Sequence, residues 1–117
     1  MRTIRKRLED VINNDKGVYQ VNFRIKAKTK DGLIFTLVEC GRKKDESKDF
    51  VTDVIGFITE IIMKHISFAE ENPDKFCMSV DEGVCIRNNE ISRVWADIDE
   101  FLTTSEYTVP VENATDL

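Results

Sequence analysis

Residues 18–29 read Val18-Tyr19-Gln20-Val21-Asn22-Phe23-Arg24-Ile25-Lys26-Ala27-Lys28-Thr29. Tyr19, Val21, Phe23, Ile25 and Ala27 take one side of a two-residue period, and Gln20, Asn22, Arg24, Lys26 and Lys28 take the other. Only a strand places alternate residues on opposite faces, so this is a half-buried β-strand. Asp31-Gly32 turns the chain, and Leu33 to Cys40 returns as the second strand of a hairpin. A two-residue turn sets Thr36 opposite Ala27, whereas a three-residue Lys30-Asp31-Gly32 turn sets Phe35 there. Leu33 to Val38 is apolar on both faces, which suits a strand inside a sheet better than one at its edge.

On the N-terminal side, Met1, Ile4, Leu8, Val11 and Ile12 share one arc of about 100° at the helical period. They predict a helix that ends at Asn13-Asn14-Asp15-Lys16-Gly17, with Gly17 suited to a left-handed cap. Arg2, Arg5, Lys6 and Arg7 crowd its first turns, against the helix dipole.

On the C-terminal side a charged loop, Gly41 to Lys48, precedes a long helix from about Asp49 to Ala69, capped by Ser47 or Asp49. Its apolar residues, from Phe50 and Val51 through Val54, Ile58, Ile62 and Ile66, fill an arc of about 180°, with Met63 the one large apolar residue on the polar side. That arc is wider than one sheet face requires, so the helix packs on a sheet and on something else. Phe76 to Val80 and Val84 to Arg87 predict a second hairpin around Asp81-Glu82-Gly83, with Met78 opposite Ile86 and Val80 opposite Val84. This register leaves Cys77 and Cys85 diagonal on the reverse face, about 7–8 Å apart, too far for a disulfide. Ile91, Val94, Trp95, Ile98, Phe101 and Leu102 fall at i, i+3, i+4, i+7, i+10 and i+11 after a capping Asn89, which predicts a third helix.

The expected fold is therefore α+β, one domain over residues 1–104 in the order α-β-β-α-β-β-α. Its antiparallel sheet comes from the two hairpins, packed against the long central helix. Residues 105–117 are expected as an extended, partly disordered tail, with Tyr107-Thr108-Val109 docked.

The 117 residues carry a net charge of −5, a sum of unlike halves. Residues 1–48 hold 13 Lys+Arg against 7 Asp+Glu, a net of +6; residues 49–117 hold 4 against 15, a net of −11. Such a chain is not a uniformly basic polyanion binder. No signal-peptide run and no membrane-length apolar run occurs, and three cysteines make an odd count, so a cytoplasmic location is expected.

Most catalytic chemistry lacks its residues. The phosphate-loop, dinucleotide and nucleophile-elbow motifs are missing. His65, the single histidine, lies in the apolar arc of the long helix and is expected as a buried, hydrogen-bonded core residue. One His and three scattered Cys make no zinc site, and the acidic pairs Glu70/Glu71, Asp81/Glu82 and Asp97/Asp99/Glu100 are expected in solvent. No cofactor and no metal are expected. The strongest positive feature is basic. Arg24, Lys26 and Lys28 line the polar face of the first strand, and Arg42, Lys43 and Lys44 leave the far end of its partner. These six are the candidate residues for a protein or anionic partner.

The element order and the acidity resemble those of the small acidic secretion chaperones, a class that surrounds a sheet with helices and dimerises. Twelve Ile against five Leu, with seven Asn, is the pattern of an AT-rich genome, phages included. The expected function is a non-enzymatic binding or regulatory protein, a phage or bacterial accessory inhibitor or chaperone-like adaptor, acting as a homodimer. The alternative is nucleic-acid or anionic-ligand binding through the basic face of the first hairpin.

Overall fold

A computed structural model describes residues 3–78, 85–104 and 108–110. Helix α1 spans Ile4–Asn14, with the Thr3 hydroxyl accepting the Lys6 N–H at 3.1 Å. Leu8 and Ile12 are buried. The expected left-handed stop at Gly17 does not form: the helix ends on an extended Asp15, whose carboxylate accepts the Gly17 N–H at 2.8 Å. Gly17 is needed for closeness instead, since a Cβ there would come within 2.9 Å of the Thr104 hydroxyl oxygen.

Strands β1 (Val18–Thr29) and β2 (Ile34–Lys43) form the first hairpin. Gly32 turns at φ 99°, in the left-handed region open to glycine, and Ala27 lies opposite Phe35, the register of the three-residue turn. Val21, Phe23, Ile25 and Ala27 are buried as the alternation requires. Tyr19 departs from it. A bulge between Val18 and Gln20 puts Val18 into the core and leaves Tyr19 exposed.

Helix α2 spans Phe50–Glu71, and of the two cap candidates Asp49 serves, accepting the Thr52 N–H at 2.9 Å. Phe50, Val51, Val54 and Ile58 close over the sheet, and Phe57 meets Phe23 edge to face with ring centroids 5.9 Å apart.

The third helix is not formed. Asn88–Glu90 makes one 3-10 turn, and Ile91–Thr103 is strand β5, antiparallel to β1 along most of its length. The cause is a β-bulge. Phe23 pairs with Ile98 and Asn22 with Glu100, so Asp99 is the extra residue. Val94, Ala96 and Ile98 point inward at period two. The bulge then skips a residue, so that Phe101 and Thr103 also point inward. A spacing of three between Ile98 and Phe101 imitates a helix, and the stripe at helical spacing is an interrupted alternation.

The sheet order is β2-β1-β5-β6, where β6 is the short Thr108–Pro110 paired with β5. Leu33 to Val38, apolar on both faces, thus belongs to an edge strand, not an interior one. The second hairpin does not join this sheet. β3 (Phe76–Met78) and β4 (Cys85–Arg87) form a separate pair, with Cys77 opposite Ile86 and Met78 opposite Cys85. The register differs by one residue from the expected Met78–Ile86 pairing, because Cys77 and Ile86 are the side chains that pack together on Ala27 and Phe35. Cys77 and Cys85 therefore lie on opposite faces of the hairpin, not diagonally on one. The Val80–Val84 pair and the loop between them lie outside the described residues, as does most of the 105–117 segment.

The architecture is thus a single α+β domain, with two α-helices among the described residues, in the order α-β-β-α-β-β-β with β6 appended. With the third helix gone, the element order that resembled the secretion chaperones is gone too. The main core joins α1, α2 and the inner face of β1 and β5 around Leu8, Phe23, Ile25 and Phe101. Each such side chain contributes about 1.5–3 kcal/mol by leaving water.

Candidate functional site

The outer face of the sheet, away from the helices, carries the polar residues of β1. Arg24 lies between two carboxylates, 3.4 Å from Glu39 on β2 and 3.1 Å from Asp99 on β5. Lys26 reaches Asp97 at 3.8 Å, and Asp97 also accepts the Trp95 indole N–H at 3.1 Å. The Asn22 amide donates to Glu100 at 2.7 Å. Lys28 completes the row, flanked by Ile34 and Arg93. Burial pushes the Asp99 carboxyl up, and the Arg24 charge works against that shift.

Arg24, Lys26 and Lys28 are thus brought together, with Lys43 on the same face at the far end of β2. Arg42 is not with them. It faces α2, where its guanidinium makes two hydrogen bonds of 2.9 Å to Asp53 and lies 4.5 Å from the centre of the Phe57 ring. The Arg42 hydrogen bond and charge hold the Asp53 carboxyl below its usual range. Lys44 turns to Glu46 at 3.9 Å. Of the six candidate residues, four therefore share a face, and the carboxylates of β5 run along it. Sequence reasoning missed Asp97, Asp99 and Glu100 as members of this face. The alternation Arg93-Trp95-Asp97 against Val94-Ala96-Ile98 is the signal that places the first of them.

A second region lies at the other end of α2. All its fully buried residues fall between Phe50 and Ile58, and from Thr59 to Glu71 none is fully buried. Met63, at 55% exposure, and Phe68, at 49%, stand in solvent, as does Phe76 on β3. The same half of α2 lines a cleft of about 420 Å³, whose walls include His65, Ile66, Ala69, Ile91 and Val94 and the polar Asn88 and Arg93. His65 Nε2 is buried with no hydrogen-bond partner among the described residues, contrary to the satisfied histidine expected, and burial lowers its pKa. Glu70 stands at the same cleft without bonding it, and Cys40 is not part of it.

Cys40 and Cys77 are half-buried thiols, and Cys85 is exposed. Among the described residues no group of three or more His, Cys, Asp or Glu is arranged to hold a metal ion. No helix among them is long and apolar enough to cross a membrane. No protein-family model matches the chain, and comparison with curated proteins and with solved structures finds nothing similar to it.

Proposed function

We propose that this chain is a non-enzymatic binding protein that works by docking on another protein, as an accessory inhibitor or adaptor does, and that it acts as a homodimer. The observation that carries the reading is the half-covered helix. α2 has 22 residues and is about 33 Å long, whereas α1 has 11 and is about 16 Å long. Ile12 of α1 comes together with Phe50 and Val51, at the first turn of α2. The second half of α2 keeps an apolar composition, and no described helix covers it as α1 covers the first turn. Met63 and Phe68 exposed on one half of a helix, with a cleft walled in part by the same half, are the mark of an interaction surface.

The charge layout supports a protein over a nucleic acid as partner. A polyanion site needs cations free to displace counterions. Here Arg24, Lys26 and Arg42 already face carboxylates. Capture from lysate of the native source, with wild type compared to Met63→Glu and Ile66→Glu, tests the reading. Both variants should keep the wild-type circular dichroism and lose the captured protein. Equal capture by all three chains would remove the second half of α2 as the docking surface.

A further inference from the structure

Strand β2 is placed where its sequence does not fit. Its first residues are apolar on both faces, yet β1 pairs with only one of its edges, and no described strand pairs with the other. The main-chain direction along that open edge follows from one bond. The Lys44 N–H donates to the Tyr19 carbonyl at 2.7 Å, so Lys44 turns its peptide groups toward β1. In an antiparallel ladder this alternates. Arg42 and Cys40, opposite Val21 and Phe23, also turn toward β1; Lys43, Gly41 and Glu39 turn away from it. These three are also the exposed residues of this part of the strand, while Cys40 and Arg42 are half-buried.

We propose that β2 is an inter-subunit strand: two copies of this chain join their β2 edges antiparallel about a twofold axis at Gly41, which sets Glu39 opposite Lys43 of the partner subunit. The pairing rests on the homodimer reading and names its surface. An isologous contact must be complementary to itself, and this register is. Gly41 faces its own copy, and the outward N–H and C=O groups at 39, 41 and 43 all find partners. The two Glu39–Lys43 pairs are related by the axis and lie on the outer sheet face. Lys43 is available for this, because no ion pair within the chain holds it among the described residues. Neighbouring registers are worse. Centring on Glu39 or on Lys43 sets like charges directly opposite, which is destabilising. Centring on Cys40 sets Glu39 against Gly41 and forms no ion pair. The axis stands perpendicular to the sheet, so the helices of both copies lie on one side and a single sheet runs through the dimer. Strand addition at an open edge is a general mode of recognition.

Light scattering across a concentration series tests this with wild type, Lys43→Glu, and the double variant Glu39→Lys/Lys43→Glu. Wild type should give the mass of a dimer. Lys43→Glu makes both pairs repulsive and should raise the dissociation constant about tenfold or more. The double variant rebuilds both pairs reversed and should restore the wild-type value. Amide exchange gives a second readout that needs no variant: Glu39, Gly41 and Lys43 should gain protection as concentration rises. A dimer indifferent to Lys43→Glu, or one broken by Met63→Glu instead, would overturn the β2 pairing and leave the homodimer standing. A monomer at every concentration would overturn both.

Discussion

Asp53 and His65 sit 12 positions apart on one helix and respond to acid for opposite reasons. The Asp53 carboxylate is held by Arg42, so its pKa lies below that of the unfolded chain. The contribution of the pair is complete above the ordinary carboxylate range and disappears as pH falls through the folded value. Asp53→Asn should therefore lower the urea midpoint at neutral pH and leave a shallower loss of stability on acidification, measured as midpoint against pH. For His65 burial disfavours the charged ring, and the folded pKa lies below the reference value of 6.5. Stability is complete above the unfolded value and declines as pH drops below it, because the unfolded chain takes up the proton first. His65→Leu removes both that penalty and a buried Nε2 that no described residue bonds. Its midpoint at pH 5 should equal or exceed that of wild type, and the variation of stability between about pH 7 and 5 should flatten. Neither partner arrangement was readable from the chain alone. Sequence placed both residues correctly on α2, but the approach of Arg42 depends on which way the end of β2 faces.

The elements that read clearly are those whose period runs unbroken. β1 alternates for most of its length, and α2 keeps its apolar arc through six turns, so both were legible to within about two residues. β5 was not, because one inserted residue shifts its phase. Removing Asp99 should show how much depends on it. The deletion would turn Phe101 and Thr103 to the outer face and their neighbours inward, and the variant should fail to show a cooperative thermal transition. Phe101→Ala keeps the phase and removes only the ring, so it should remain folded with a loss of about 3–5 kcal/mol. The short second hairpin was misread by one register for a different reason. Its apolar residues do not all share a core: Cys77 and Ile86 pack on the sheet, while Phe76 lies in solvent with the Arg87 guanidinium 4.8 Å from its ring centre.

For the molecule as a whole, the basic first part of the chain and the acidic second part meet in the β1–β5 ladder. The cations are visible in the sequence; Asp97, Asp99 and Glu100, which face them, are not, because their segment reads at the helical period. Their mutual cancellation predicts what appears when one side is removed. The triple variant Asp97→Asn, Asp99→Asn, Glu100→Gln should expose Arg24, Lys26 and Lys28 as a basic strip. It should be retained on heparin and released by salt, whereas the wild-type chain should flow through.

The ladder that makes this cancellation has also a temporal side. β1 is the centre of the sheet, yet its second neighbour is the last long element to be made, and Val18 finds Thr103 across 85 positions of chain. Sixty residues separate the end of β2 at Lys43 from Thr103. At roughly 5–20 residues per second, synthesis of that interval takes about 3–12 s. Throughout it the nascent hairpin offers a strand whose buried side chains have no floor on one side. Folding of this small domain therefore waits on its C-terminal half, and its rate is governed by the closure of a long loop more than by helix formation.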